Sequence, residues 1–385
     1  MSLRKIGKQI ASFISGTALL FNFIAAFALL LCYLAPYINP VKFWPMIFFA
    51  LAYPFLLIIN ILFVLYWLFL FKRWVFLSLI TIIIGWSYLT GFMKISGIEE
   101  NPVQSQSIRI MSFNVKDFDN RNRINKETGY TKNRIFDLVK AEAPDVVCLQ
   151  DFYYDNTADF NTVESLTTKY EFPYYYTVPP NIRTRQNYPG TATFSKYPII
   201  NAGTHVFKSL PDYVGTITDI AVQTDTFRIL NFHFKSNMLS KYERTIFHEI
   251  PQTKNQEETA TKFKGVFKKV KESTKLRAIQ SVEVRQIIEK SPFPVILCCD
   301  LNDTHTSYTY KQITKNLTDS FTTSGKGFGS THIGFFPVLR IDYIFHDPFF
   351  KAWGFKTIRK HLSDHYPIVT NLSYESGTFR KGLNI

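Results

Sequence analysis

The chain has 385 residues, of which 46% are hydrophobic, and its mean hydropathy is close to neutral at −0.02. Lys and Arg number 44 against 30 acidic residues, so the formal net charge is +14. The length excludes a small stapled scaffold and suits two or three domains, and four cysteines are too few for a disulfide framework.

Acidic residues are missing from the first quarter of the chain, and Glu99 is the first acidic residue of the sequence. Three apolar runs fill this part, at residues 10–34, 43–71 and 74–92. A membrane-spanning helix needs about 20 largely apolar residues. We therefore predict a transmembrane anchor of three helices within residues 1–98. A buried pair of soluble helices is the alternative, and uncharged runs of this length disfavour it.

The basic residues that flank these runs predict how the anchor is oriented. Five of them lie before the first run or between the second and third runs: Arg4, Lys5, Lys8, Lys72 and Arg73. Only Lys42 and Lys94 lie on the opposite side. Because basic flanks stay in the cytoplasm, we predict a multi-pass protein with a cytoplasmic N-terminus and an extracytoplasmic domain.

After the anchor, the sequence predicts a polar linker at residues 99–107, a catalytic domain at 108–373 and a tail at 374–385. The domain alternates short apolar strands with few helices. The predicted strands are residues 108–115, 145–150, 191–195, 217–222, 228–233, 295–300, 342–345 and 366–372, and the predicted helices are residues 131–142 and 276–288. Many strands with few intervening helices predict an α+β fold of two packed sheets with helices outside.

One long segment between the predicted strands, residues 236–275, lacks strand character. Its residues 262–271 combine an apolar helical face with five lysines. Such a basic amphipathic helix can lie on an anionic membrane surface. A solvated helix that packs on its own domain explains the same pattern, and the sequence leaves both interpretations open.

Polar residues that can perform chemistry fall at the ends of the predicted strands. They are Asn114, Asp151, His233, Asp300, Asn302, Asp342, Asp364 and His365. Loops at strand ends carry function because a rigid sheet aims them. Each residue alone has an ordinary explanation, such as turn formation or a surface hydrogen bond. Together in one domain, they indicate an active site.

These residues belong to an ordered series of short motifs. The series is Ser112-Phe-Asn114, Val147-Cys-Leu-Gln-Asp151, Gly190-Thr-Ala-Thr-Phe-Ser-Lys-Tyr-Pro198, Asn231-Phe-His233, Val295-Ile-Leu-Cys-Cys-Asp-Leu-Asn302, Arg340-Ile-Asp-Tyr343 and Ser363-Asp-His365. In order and spacing it resembles the endonuclease/exonuclease/phosphatase superfamily, across residues 108–372. The resemblance implies the DNase I-like four-layered sandwich, with two β-sheets flanked by helices, and a hydrolase that acts on phosphoric ester bonds.

The resemblance implies that Asn114, Asp151 and Asp364 hold a divalent cation. Oxygen ligands of this kind suit a hard ion, so we expect Mg²⁺, with Mn²⁺ as the alternative. The family usually has Glu where this chain has Asp151. The missing methylene retracts the carboxylate, which matters because Mg²⁺ requires ligands at about 2.0–2.1 Å.

Catalytic roles also follow from the resemblance. His365 is expected to act as general base on water, with its imidazole oriented by Asp342. Asp300 and Asn302 are expected to position the water and a phosphoryl oxygen, and some schemes for the family make the Asp the base. His233 is expected near the phosphate, where it polarises or protonates the leaving group.

The motif around His233 resembles the branch of the family that contains DNases, sphingomyelinases and inositol-polyphosphate phosphatases. Arg183 and Arg185 precede Gly190 and are candidate substrate contacts, because Arg binds phosphate oxygens in bidentate fashion. Solvent exposure explains these two arginines equally well. The expected partners are the lipid bilayer and a phosphate ester, namely a lipid headgroup, an inositol phosphate or nucleic acid.

The sequence thus predicts a membrane-tethered, divalent-metal-dependent phosphoesterase that cleaves phosphodiester or phosphomonoester bonds. The first alternative is an extracytoplasmic non-specific endonuclease, because a basic domain attracts the phosphate backbone. The second is a weakly active or inactive phosphate-binding module, which Asp151 motivates. Seven of the 14 net positive charges belong to the acid-free anchor. The net charge is therefore weak evidence for a nucleic-acid substrate.

Overall fold

The computed structural model describes residues 3–102, 106–119, 130–154, 161–179, 190–237, 256–333 and 339–377. Arg183 and Arg185, and most of the predicted tail, lie outside the described residues. The chain divides into two compact units. The first unit is Met1–Phe92 with His305–Lys311, and the second is Met93–Thr304 with Gln312–Ile385.

The first unit is built from apolar helices. These are α1 (Leu3–Leu34), α2 (Met46–Phe69), α3 (Val75–Ile84) and α4 (Trp86–Phe92). Among the described residues, two helical segments are long and apolar enough to cross a membrane, or three if α3 and α4 form one span bent by 71°. The bend falls at Gly85, where a Cβ atom would lie 2.0 Å from the Tyr33 ring. The third predicted helix is therefore broken where a glycine lets an aromatic ring approach the backbone.

Polar side chains connect the apolar helices of the first unit. The buried Asn22 amide donates to Ser78 Oγ at 2.6 Å, and that hydroxyl donates to Asn60 Oδ1 at 2.8 Å. The Trp67 indole nitrogen in turn donates to Asn22 Oδ1 at 2.8 Å. Hydrogen bonds between helices stabilise apolar bundles in lipid, where the hydrophobic effect between helices is absent. This network joins α1, α2 and α3.

The second unit is an α+β arrangement. Its strands are β1 (Met93–Lys94), β2 (Gln106–Asn114), β3 (Val146–Phe152), β4 (Tyr174–Thr177), β5 (Gly190–Ser195), β6 (Ile199–Val206), β7 (Val214–Val222), β8 (Asp225–His233), β9 (Val295–Asp300), β10 (Thr318–Asp319), β11 (Gly327–Phe328), β12 (Asp342–His346), β13 (Lys351–Thr357) and β14 (Ile368–Tyr374). The remaining helices along the chain are α5 (Tyr130–Glu142), α6 (Thr162–Glu164), α7 (Gln256–Lys290), α8 (Tyr308–Ile313) and α9 (Ser320–Ser324).

Twelve of these strands form two six-stranded sheets. One sheet has the order β10-β12-β9-β8-β7-β6, and the other has the order β13-β14-β2-β3-β5-β4. The pairs β2–β3 and β8–β9 are parallel, and the other pairs in these sheets are antiparallel. β1 pairs with β11 in a separate two-stranded sheet.

The hydrophobic core lies on both faces of the second sheet, because side chains alternate along each strand. In β2, Ile108 and Ile110 pack with residues of the other sheet, such as Ile229 and Ile296. Met111 and Phe113 instead pack with α5 and its surroundings. The fold is therefore the predicted two-sheet sandwich with helices outside.

Several elements differ from the sequence-based expectation. The strands β4, β6 and β13 were not predicted, and each is largely exposed or at a sheet edge, where hydrophobic alternation is weak. α7 begins at Gln256, so part of the segment without strand character is helix. In that part Val266 and Val270 are buried, while Phe267 remains 41% exposed.

Candidate active site

The alternation that builds the core also delivers polar side chains to one end of the sheets. On β2, Ser112 and Asn114 continue the face begun by Ile108 and Ile110, and both are buried. Gln150 of β3 donates to Ser112 Oγ at 3.1 Å. The space between the sheets therefore changes from apolar to polar as these strands approach their carboxyl ends.

Asp300 ends β9 and lies between two other candidate residues. Strand register pairs it with His233 on the parallel neighbour β8 and with Asp342 on the antiparallel neighbour β12. Asp300 is 1% exposed, and its Oδ2 accepts a hydrogen bond from Asn114 Nδ2 at 2.9 Å. Its Oδ1 accepts one from the backbone N–H of Asn302 at 2.9 Å. The register of three strands thus fixes this carboxylate.

The environment of Asp300 disfavours its negative charge. Burial raises the pKa of Asp300, the neighbouring Asp342 raises it further, and the charges of His365 and His233 only partly oppose this. Asp300 is therefore a more basic carboxylate than one in water. Asn302 bonds to Asp300 through its backbone, and its side-chain amide donates to the Phe234 carbonyl at 3.1 Å.

His365 and Asp342 form a buried pair. His365 Nδ1 lies 2.8 Å from Asp342 Oδ2 and 3.1 Å from Oδ1, and the other ring nitrogen, Nε2, lies 3.8 Å from Asp300 Oδ2. Burial alone would lower the pKa of His365, but the charges of Asp342 and Asp300 outweigh it and raise the pKa to about 10. The two carboxylates therefore favour the protonated imidazole.

A second pair of the same kind forms between His233 and Asp151. His233 Nδ1 lies 3.0 Å from Asp151 Oδ1, and Nε2 lies 3.4 Å from Asp300 Oδ2. Burial opposes protonation, but Asp151 and then Asp300 raise the pKa of His233 to about 9. Burial would raise the pKa of Asp151, yet His233 and His365 lower it. Both histidines thus present Nε2 to the same carboxylate.

The backbone of Asp151 explains how its short side chain reaches His233. Asp151 has a φ of 48°, and the register between β3 and β5 shifts between Leu149 and Phe152. Such a bulge re-aims a side chain, and backbone strain of this kind is concentrated at functional sites. Asp151, the residue that departs from the family pattern, is thus paired with His233.

Asp364 is paired with a residue that the sequence analysis did not single out. Lys116 Nζ lies 3.2 Å from Asp364 Oδ2, and the backbone N–H of Lys116 donates to Asn114 Oδ1 at 3.0 Å. Burial would raise the pKa of Asp364, but His365 and Lys116 lower it to about 2. Lys116 opens a run of four residues with left-handed backbone, which ends at Asp119. A lysine two residues after Asn114 carries no motif, so only the tertiary structure reveals it.

His332 is the second residue that the sequence analysis missed. It forms an isolated β-bridge with His365, and the two imidazole rings lie 5.3 Å apart in an edge-to-face arrangement. The charge of His332 also helps to lower the pKa of Asp364. His332 lies eight positions before Arg340 but belongs to none of the motifs, and a lone histidine in a loop gives no signal of its own.

The structure thus brings together eight sequence-predicted residues: Asn114, Asp151, His233, Asp300, Asn302, Asp342, Asp364 and His365. Their catalytic roles stay predictions. Arg183 and Arg185, the candidate substrate contacts, lie outside the described residues.

The donor atoms of this site fit a hard divalent cation. Asn114, Asp151 and Asp364 offer amide and carboxylate oxygens, which Mg²⁺ and Mn²⁺ prefer. A further group, Asp300, Asp342 and His365, has ligand-type atoms within 4.8 Å of one another. In that group His365 Nδ1 is engaged with Asp342, so the geometry favours orientation of the imidazole over coordination through this nitrogen.

Comparison with protein families gives two matches. The sequence profile of the endonuclease/exonuclease/phosphatase family matches residues 111–365, well over half of the chain. A domain of unknown function matches residues 13–92. No curated protein sequence matches the chain.

Solved structures of related fold include a family protein from Bacteroides thetaiotaomicron, which has a TM-score of 0.51 at 15% identity and covers 71% of this chain and 99% of its own. A protein of the same description from Bacteroides vulgatus has a TM-score of 0.48 at 20% identity, over 70% and 100%. The catalytic domain of human nocturnin with bound sulfate has a TM-score of 0.48 at 16% identity, over 70% and 95%. With the family match, the first of these confirms the predicted DNase I-like fold.

Proposed function

Because this chain belongs to the endonuclease/exonuclease/phosphatase family and is a phosphoester-hydrolysing enzyme, we propose that it works as a membrane-tethered, divalent-metal-dependent phosphoesterase. One observation carries the proposal, namely that two aspartate–histidine pairs direct Nε2 towards the same buried carboxylate, that of Asp300. Hydrolysis of a phosphoester needs an activated water, charge stabilisation and a proton for the leaving oxygen. The side chains around Asp300 can meet these three needs.

We assign the activation of water to Asp300. Its raised pKa makes it a stronger base than an ordinary carboxylate, and its Oδ2 faces both imidazoles. We favour Asp300 over His365 as the base, because Asp342 and Asp300 raise the pKa of His365 and a protonated imidazole cannot accept a proton. Protonated His365, held by Asp342, would instead donate to a phosphoryl oxygen and stabilise its charge.

The proton for the leaving oxygen comes from His233 in this proposal. Asp151 keeps its imidazole protonated, and Nε2 is the nitrogen that faces the reaction centre. General acid catalysis of this type contributes about 10² to 10⁴-fold. A bound Mg²⁺ or Mn²⁺, held by Asn114, Asp151 and Asp364, would supply charge neutralisation at the phosphoryl oxygens.

Membrane tethering is supported by the helices of the first unit, two of which are long and apolar enough to span a bilayer. We place the N-terminus in the cytoplasm and the catalytic domain outside it, from the distribution of flanking basic residues. A tethered site meets phosphate esters of the membrane, so the substrates we favour are lipid headgroups. A reporter fused after Ile385 should be active only in its extracytoplasmic form, and a cytoplasmic signal would contradict this orientation.

The enzymatic proposal is tested with the full-length protein in neutral detergent. After chelation it should not hydrolyse bis(p-nitrophenyl) phosphate, and Mg²⁺ or Mn²⁺ should restore the activity. H365A and D300N should each be nearly inactive. D225N, which replaces an acidic residue outside the site, should match the wild type. Activity that survives chelation, or that H365A and D300N retain, would contradict the proposal. Supercoiled plasmid, phospholipid and inositol phosphates on the same preparation then separate the substrate classes.

A further inference from the structure

A second concave site lies in the catalytic unit and is lined by other residues than those of the candidate active site. It encloses about 590 Å³, within the range of about 300–1,000 Å³ that small-molecule pockets show. Its lining residues are Glu99, Ser324, Lys326, Phe328, Gly354, Phe355, Lys356, Thr357, Ile358 and Arg359. None of them belongs to the eight residues of the candidate active site. We call this site the edge pocket, because much of it is formed by β13 at the edge of its sheet.

The charges of the edge pocket suit an anion. Three of its lining side chains are basic and one is acidic. Lys326 Nζ lies 3.4 Å from Glu99 Oε1, and both side chains are mostly exposed, so this ion pair holds neither charge firmly. Lys356 is exposed and forms no ion pair within the described parts of the chain. The pocket therefore has a positive charge that its own acidic residue does not neutralise.

The guanidinium of Arg359 is held in a fixed position in the wall of the edge pocket. Its Nη1 donates to Ser330 Oγ at 3.1 Å, and its Nη2 donates to the Phe328 carbonyl at 2.9 Å. The guanidinium also lies 4.9 Å from the centre of the Tyr366 ring. A guanidinium held in this way keeps its charge beside the pocket without loss of further side-chain entropy on binding.

The wall of the edge pocket pairs with residues that follow the predicted anchor directly in the chain. Met93 directly follows the last apolar helix, and it pairs with Phe328 of the pocket wall. Five residues later, the Ile98 carbonyl accepts a hydrogen bond from the Gly354 N–H at 2.7 Å. The wall of the pocket is thus a few residues from the end of the anchor.

Exposed apolar side chains accompany the basic residues at this place. Ile95 is 83% exposed, Phe328 is 48% exposed and Ile98 is 43% exposed. Apolar side chains next to basic ones favour the interface of an anionic membrane, where the former enter the headgroup region and the latter meet phosphate. A site for a soluble anion would not need the apolar component.

We propose that the edge pocket binds the phosphate of an anionic phospholipid headgroup through Lys326, Lys356 and Arg359. The proposal rests on the proposed membrane tethering, and it is independent of which bond the active site cleaves. Binding at this point would hold the catalytic unit against the lipid surface that its anchor enters.

The test measures binding of short-chain lipids to the full-length protein in neutral detergent by titration calorimetry. The wild type should bind dihexanoyl phosphatidylglycerol at least about tenfold more tightly than dihexanoyl phosphatidylcholine. Each lysine near an anionic lipid contributes roughly fivefold in affinity, so the double variant K326Q/K356Q should lose about 10- to 30-fold. The matched control K351Q changes an exposed lysine of the same strand outside the pocket, and it should keep the wild-type affinity.

A second variant tests the negative charge of the edge pocket. E99Q removes the acidic side chain of the pocket and should tighten phosphatidylglycerol binding by roughly fivefold. The proposal is wrong if the wild type shows no preference for the anionic lipid, if K326Q/K356Q keeps that preference, or if K351Q loses it equally. It is also wrong if glycerol 3-phosphate binds as tightly as phosphatidylglycerol, since the ligand would then be a soluble phosphate ester.

Hydrolysis of bis(p-nitrophenyl) phosphate by the same preparations separates this proposal from the proposed function. K326Q/K356Q should hydrolyse the soluble diester at the wild-type rate, because neither lysine belongs to the candidate active site. Hydrolysis without lipid preference would overturn the edge-pocket proposal alone. Selective lipid binding without any hydrolysis would overturn the proposed activity alone.

Discussion

The pairing of Asp342 with His365 gives the sharpest test of the site. D342N keeps the size of the side chain but removes the negative charge that lies 2.8 Å from His365 Nδ1. At that distance the attraction between unit charges is about 6 kcal/mol for an effective dielectric constant of about 20. Burial of both groups offsets part of this attraction, so we expect D342N to lower the free energy of unfolding by about 3–5 kcal/mol.

The pH dependence of this loss follows from the direction of the pKa shift. Asp342 and Asp300 raise the pKa of His365 from 6.5 to about 10 in the folded protein. The stabilisation is therefore complete below pH 6.5, provided that Asp342 is ionised, and it disappears as the pH rises through about 10. The difference in thermal midpoint between wild type and D342N should shrink over the same interval.

Three measurements on the full-length protein check this reasoning. The histidine ¹H–¹³C signals of the chelated protein should show that the pKa of His365 falls in D342N. Thermal unfolding at several pH values follows the stability difference, and kcat on bis(p-nitrophenyl) phosphate should fall about 10²- to 10⁴-fold. D225N serves as the matched control. An unchanged pKa of His365, together with kcat within threefold of the wild type, would refute the proposed role of the pair.

Three further predictions concern individual charges. D300N should lower kcat by about 10² to 10⁴-fold. It should not lower the thermal midpoint, because burial already disfavours the charge of Asp300, and a lower midpoint would show that the carboxylate stabilises the fold. K116M should tighten Mn²⁺ binding roughly fivefold in calorimetry, since Lys116 competes with a cation for Asp364; weaker binding would contradict this. R340M should lower the free energy of unfolding by about 3–5 kcal/mol in denaturant titrations, because Arg340 and Asp319 form a buried ion pair at 2.6 Å. D319N should be destabilised to a similar extent, and a loss below about 1 kcal/mol in either variant would contradict the importance of this ion pair.

The sequence alone determined much of the architecture of this protein. Uncharged runs predicted the apolar helices, because few other structures accommodate so many apolar residues in succession. Short, largely apolar segments predicted the central strands β2, β3, β8 and β9, since a strand that is buried on both faces reads as a near-continuous apolar run. The motifs predicted that polar residues would gather at the ends of these strands, and the family match confirms the fold that they implied.

Edge strands and helix boundaries were less accessible to the sequence. β6 and β13 contain exposed positions and a glycine, so their alternation is weak. The break between α3 and α4 depends on Tyr33, a residue of another helix that approaches Gly85. No local pattern reports such an approach.

Within the site, the sequence determined which residue types were available, and only the tertiary structure decided how they pair. The partner of Asp151 is His233, 82 positions away, and the contact depends on a backbone bulge that sequence does not reveal. Lys116 contacts Asp364, which is 248 positions away in the sequence. Strand register and loop conformation set both of these distances. Local spacing predicts which face or strand end a residue occupies, whereas the charge that it meets there is a property of the assembled sheets.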